Sequence, residues 1–153
     1  MRCDEFQLMA DQWDTGSVPP DMTAWAEHIN ACRQCSDWID ARAVRKRGYD
    51  PGDYPCVHLA KFATMTCEHH VDRLECPDIL IYYNPRHDDY SLPIRDGGLA
   101  TLPIYYCPWC GAQIPESKRD RWFDELAALG FDDPYDQEIP ECFKTNAWWK
   151  AVP

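Results

Sequence analysis

The chain has 153 residues, nine of them cysteine, seven tryptophan and thirteen proline, with a formal charge of −11. That length fits one compact domain or two very small ones, and 45% apolar with 13% aromatic content excludes wholesale disorder. No apolar run is long enough to span a membrane, no h-region follows Met1, and acidity spread over every third of the chain leaves no basic face for a phosphate backbone. The expectation is a cytoplasmic protein with no membrane and no direct nucleic-acid partner. In that compartment nine cysteines point to metal or redox chemistry rather than to a disulfide frame.

In chain order, residues 4–13 are predicted to form a short helix with Phe6, Leu8, Met9 and Trp13 as its apolar material. Thr15-Gly16-Ser17-Val18-Pro19-Pro20 breaks it. Asp21 is an N-cap for a second helix running to about Arg47, along which Trp25, Ile29, Cys32, Ile39 and Ala43 recur at helical spacing. The basic cluster Arg42, Arg45, Lys46 and Arg47 sits at its C-terminal end, where cations complement the helix dipole. Gly48 to Pro55 is rich in Gly, Pro and Asp. This composition divides the chain into a helical part over 1–48, a linker over 49–55 and a second part over 56–153.

The second part is expected to be a small antiparallel sheet with a helix, so the fold class is α+β. Ile79–Tyr83 and Leu102–Tyr106 are strands by composition, with room for a third near Tyr90–Ile94. Ser117-Lys118-Arg119-Asp120 resembles a capping box and opens a helix through Trp122, Phe123, Leu126 and Leu129, stopped by Gly130. The tail from Phe131 to Pro153 carries Tyr135, Phe143, Trp148 and Trp149, enough aromatic surface to pack along the sheet.

Two groups of residues carry chemistry. His28, Cys32 and Cys35 stand at i, i+4 and i+7, which on a continuous helix places all three on one face. Cys3 completes four ligands if the first two helices pack antiparallel, which is the closed tetrahedral set that structural zinc requires. Farther on, Cys107-Pro108-Trp109-Cys110-Gly111 is a zinc-knuckle sequence, with the glycine permitting the tight turn. A knuckle supplies two ligands, and the other two are drawn from Cys56, Cys67, His70 and Cys76, with His58 and His69 behind them. This is more ligand than one site requires, so either a second zinc is present in this region or one or two cysteines are buried bystanders. Two zinc ions per chain are expected. Cys142 is simplest as a free or buried thiol.

Cys3 followed by His28-Ile29-Asn30-Ala31-Cys32-Arg33-Gln34-Cys35 resembles the zinc-binding anti-sigma factor domain over residues 1–47. The resemblance implies that these four positions hold zinc and that the helices clamp a sigma factor. From Cys56 to Lys150 the chain resembles a family of short, uncharacterised bacterial and phage zinc-knuckle proteins. That likeness rests on Cys67, His70, Cys76-Pro77-Asp78, Asp96-Gly97-Gly98, Cys107-Pro108-Trp109-Cys110-Gly111, Pro115-Glu116-Ser117-Lys118-Arg119-Asp120, Trp122-Phe123 and Trp148-Trp149. It implies a compact zinc-containing domain and no established activity.

His69-His70-x-Asp72 and His87-Asp88-Asp89 offer hydrolase-like groups, but histidines beside acids in polar turns read as solvated surface. No His-Glu-x-x-His helix, phosphate loop or nucleophile elbow accompanies them. The sequence therefore reads as a zinc-binding regulatory or inhibitor protein rather than an enzyme. Its partner would be a basic protein such as a sigma factor, another transcription component or a nucleic-acid-binding protein. The alternative is a zinc-dependent hydrolase or thiol redox sensor with an open or labile metal site.

Overall fold

The computed structural model describes residues 1–16 and 21–151. Ser17 to Pro20, most of the break expected after the first helix, and the last two residues of the aromatic tail lie outside the described residues. The chain divides into two compact units, Met1–Thr64 and Met65–Pro153, with helices in the first and a small sheet with helices in the second. The fold class is α+β. Among the described residues no helix is long and apolar enough to cross a membrane.

Among the described residues the first unit has four α-helices: α1 (Cys3–Asp14), α2 (Met22–Ala31), α3 (Arg33–Lys46) and α4 (Val57–Thr64). Asp21 caps α2 as its residue type demands, its carboxylate accepting from the Ala24 N–H at 2.9 Å. The single helix expected from Asp21 to Arg47 is two, because Cys32 adopts an extended backbone (φ −109°, ψ 98°) that ends α2 and opens α3. Phe6 of α1 is fully buried, with Trp25 stacked on it at 5.0 Å and Trp38 meeting it edge-on at 6.3 Å. Outside this aromatic contact, Asp14 at the end of α1 accepts from Arg42 Nε at 2.9 Å and pairs with Lys46. Lys46 first, and then Arg42, hold the Asp14 carboxyl below its ordinary range. Part of the basic cluster thus ties α3 to α1.

Residues 49–55 lie inside the first unit. Pro51–Asp53 form a 3-10 turn, closed by the Asp50 carboxylate accepting from the Gly52 N–H at 2.8 Å. Beyond it, α4 buries Leu59 and Ala60, and Lys61 pairs with Asp40 of α3 at 2.9 Å. Arg47 donates to the Lys61 carbonyl and the Thr64 hydroxyl, both at 3.2 Å.

The second unit contains a three-stranded antiparallel sheet in the order β1 (Tyr82–Asn84), β2 (Asp89–Pro93), β3 (Thr101–Pro103). Tyr83 faces Tyr90 and Leu92 faces Leu102 in the register, and the two tyrosine rings lie 4.6 Å apart. The outer strands are shorter than composition suggested. Ile79 and Ile81 are buried, yet they precede β1 rather than belonging to it. The reason lies in Arg95, which donates to the carbonyls of Leu74, Cys76 (2.7 Å) and Ile79 (2.6 Å), so a side chain satisfies backbone that a ladder would otherwise serve. Pro103 ends β3, after which Tyr106 bridges to Gln113 around the Cys107–Cys110 turn.

α5 (Arg119–Ala128) begins later than the capping-box reading required. Ser117 stands outside the helix, where its hydroxyl donates to Asp89 at 2.9 Å and accepts from the Arg119 N–H at 3.2 Å. Its end is as expected. Gly130 takes φ +90°, and the N–H groups of Gly130 and Phe131 return to the Ala127 and Leu126 carbonyls in a Schellman closure. The aromatic tail packs on α5 and on the β1–β2 turn rather than along the sheet. Trp122 and Leu126 form one cluster with Ile139, Phe143 and Trp148, the last on α6 (Ala147–Lys150). Three indole N–H groups find backbone acceptors: Trp122 on Phe143 at 2.9 Å, Trp148 on Arg86 at 2.8 Å and Trp149 on Pro85 at 2.9 Å.

His87, read from sequence as solvated, is only 5% exposed, with its ring against Trp122 at 5.1 Å and the Asn84 amide at 3.2 Å. Burial first, and then the charges of Arg86 and Arg119, depress its pKa from 6.5 to about 4. The unfolded chain therefore takes up a proton at His87 that the folded chain refuses. Stability contributed by neutral His87 is present above pH 6.5 and is lost as pH falls from 6.5 towards 4, by about 3 kcal/mol in all. In an NMR titration the His87 ring signals, assigned by their loss in His87→Gln, should move with a midpoint near pH 4. A midpoint near 6.5 would contradict the burial.

Candidate metal centres

The donor atoms of Cys3, His28, Cys32 and Cys35 all lie within 4.8 Å of one another. Each comes from a different place in the helical unit. Cys3 is the first residue of α1, His28 sits in the last turn of α2, Cys32 occupies the junction, and Cys35 lies in the first turn of α3. The break at Cys32 replaces the single helical face expected from the sequence. It turns Cys32-x-x-Cys35 into a motif opening a helix, where backbone N–H groups are unpaired by the helix itself. The N–H of Cys35, followed by burial opposing it and by the neighbouring thiols, lowers the Cys32 pKa.

Cys35 behaves oppositely. It is fully buried, and burial together with Cys3 and Cys32 pushes its thiol up to about 12. Cys3 and Cys32 sulfurs are 3.8 Å apart, too close for two thiolates to coexist without a compensating charge. His28 Nε2 is buried and has no hydrogen-bond partner. A buried imidazole with a partnerless nitrogen, offering a donor atom alongside three converging sulfurs, is what a bound cation would satisfy. Three thiolates and one imidazole form a closed tetrahedral donor set that fits zinc.

In the second unit, Cys107 and Cys110 form the turn their sequence predicts. Gly111 takes φ +71°, its N–H bonds the Cys107 carbonyl at 2.8 Å, and the Cys107 N–H bonds the Ala112 carbonyl at 2.8 Å. Cys107 is buried and Cys110 half-buried. Cys67, His70 and Cys76 gather elsewhere in the same unit as a set of their own, again with all donor atoms within 4.8 Å. The sequence leaves two of Cys56, Cys67, His70 and Cys76 to complete the Cys107–Cys110 turn, and the last three of these gather with one another instead. Cys67 Sγ is 3.1 Å from His70 Nδ1, and that contact, with the N–H of His69, lowers the Cys67 thiol to about 7. Cys56 belongs to the first unit, immediately before α4, where its carbonyl accepts from the Ala60 N–H at 3.0 Å. Cys142 is exposed in the 3-10 turn Glu141–Lys144.

The helix break at Cys32 is not legible in the sequence, since no glycine or proline marks it. The Cys67–His70–Cys76 set is legible only as a surplus of ligands, because its Cys-x2-His spacing imitates half of a ribbon. The groups read as hydrolase-like do not converge: His69 is exposed, while His87 is buried against Trp122. The Ser117 hydroxyl donates to Asp89 rather than to an imidazole, so no triad-type base activates it.

No curated protein and no solved structure matches the chain. A family model described as a domain of unknown function, DUF6980, matches residues 53–151. That span takes in Cys56 and α4 at the end of the first unit and reaches almost to the end of the second. The chain, matched over about two-thirds of its length, therefore belongs to the DUF6980 family.

Proposed function

We propose that this protein is a cytoplasmic zinc-binding regulator that acts by docking on a basic protein, a sigma factor or another nucleic-acid-handling protein, rather than by catalysis. The observation that carries this reading is the convergence of Cys3, His28, Cys32 and Cys35 at the junction of α1, α2 and α3. That order of ligands resembles the zinc-binding anti-sigma factor domain, in which a zinc-stapled helical unit clamps its target. Net charge supports the same partner chemistry, since a chain at −11 attracts a basic face and repels a phosphate backbone. A shallow apolar cleft of about 250 Å³ between Trp13, Trp25, Ile39 and Ala43 offers aromatic anchors at such a contact.

One zinc ion sits on the Cys3–His28–Cys32–Cys35 set, and a second on the Cys107–Cys110 turn. For short helices with a small core, ion binding supplies a large part of the folding free energy. Cys32→Ser should therefore lose one zinc by elemental analysis and lose helical circular dichroism with it. Cys107→Ser should lose a different ion and leave the α1–α3 signal in place. Undiminished zinc in Cys32→Ser would contradict the assignment.

The docking itself is tested by sedimentation of the full chain with purified bacterial sigma factors at low and high salt. A complex that weakens with salt and is abolished by Cys32→Ser is expected. Absence of any complex at low salt, or a preference for DNA over protein, would overturn the reading.

A further inference from the structure

Residues 65–81 contain no helix or strand, yet Cys76, Ile79 and Ile81 within them are buried. Irregular backbone of this kind needs something to hold it. Part of the answer is Arg95, just beyond β2, whose guanidinium gathers the carbonyls of Leu74, Cys76 and Ile79. Asp72 adds a local turn, its carboxylate accepting from the Leu74 N–H at 2.8 Å. These contacts fix the backbone on both sides of Cys76 and aim its sulfur at Cys67 and His70. Donor atoms of a tetrahedral zinc site lie about 3.3–3.8 Å apart, given Zn–S near 2.3 Å and Zn–N near 2.0 Å. The Cys67 Sγ to His70 Nδ1 separation of 3.1 Å is slightly tighter than that, and the whole group spans no more than 4.8 Å, so small side-chain adjustments bring the three donors around one ion.

Among the described residues no fourth His, Cys, Asp or Glu atom joins these three. Three protein donors are the arrangement of a zinc site that keeps one position for an outside ligand, whereas structural sites close with four. The surroundings permit entry. Glu68, His69, Val71 and Asp72 are exposed, Val71 completely, so the turn between Cys67 and Cys76 opens to solvent.

We propose that Cys67, His70 and Cys76 hold a zinc ion of their own, with a fourth position occupied by water and exchangeable for a small thiol. In that exchange the thiol gives its proton to solvent, its sulfur bonds the metal, and the water leaves, with no change of oxidation state. A third sulfur suits an ion that already carries two thiolates. Arg95 is a positioning residue here: it shapes the loop and does not touch the ligand atoms. The inference goes beyond the docking function and stands independently of it.

The test uses the full chain. Wild type should carry one more equivalent of zinc than Cys76→Ser, with the ion lost by Cys32→Ser unaffected. Because Cys76 is fully buried, His70→Ala serves as a second variant at a half-buried position. It should keep the native circular dichroism while losing zinc from this set at least about tenfold more readily to chelator. In cobalt-loaded protein, 2-mercaptoethanol should raise the sulfur-to-cobalt charge-transfer absorbance. That increment should vanish in both variants. The proposal is overturned if both variants keep the full complement of metal, if the cobalt spectrum ignores the thiol, or if mass spectrometry of native protein shows Cys67 joined to Cys76 as a disulfide.

Discussion

Three sulfurs and one imidazole nitrogen meet at the junction of α1, α2 and α3, and the mutual repulsion of the sulfurs as thiolates is the constraint on which the helical unit depends. Without a cation the buried Cys35 thiol keeps its proton, pushed up to about 12 by burial first and then by the neighbouring Cys3 and Cys32. With a divalent cation the same crowding becomes attraction, and residues far apart in sequence are held at one point. The aromatic stack of Phe6, Trp25 and Trp38 lies next to this point, with the His28 ring 5.2 Å from Phe6. The candidate metal set and the aromatic core therefore touch through His28 and Phe6, so loosening one would loosen the other.

The second unit solves a similar problem with different materials. Its sheet is only three short strands, too little to stand alone, and a second core is built from the tail. Trp122, Phe143 and Trp148 bury large rings, and each indole finds a backbone carbonyl, so aromatic area is gained without stranding a polar group. Where the backbone is irregular, as before β1, Arg95 supplies the missing hydrogen bonds from a side chain. Cysteine and histidine then occupy the loops that packing alone would leave loose.

Much of this was legible in the sequence, for identifiable physical reasons. Asp21 as a cap and Gly130 as a stop follow from local backbone chemistry that tertiary context did not override. The gathering of Cys3, His28, Cys32 and Cys35 follows from residue type and order along the chain, although the single helical face expected to present three of them does not form. The helix break does not follow from the sequence, because Cys32 ends α2 without a glycine or proline, in a conformation any residue can adopt. The Ser117 pattern is that of a cap, but Asp89 claims its hydroxyl through a contact 28 residues away. His87 departs from its local pattern for the same kind of reason: its polar neighbours in sequence are not its neighbours in space, where Trp122 covers it. Local rules succeeded where the deciding partner was local.

The central claim is that the cysteine and histidine sets of this chain are zinc ligands rather than ordinary buried thiols. X-ray absorption at the zinc edge of natively purified protein tests it most directly. The account predicts a sulfur-dominated first shell at about 2.3 Å with a minority of nitrogen near 2.0 Å. A shell of oxygen and nitrogen alone, or protein without zinc, would contradict it.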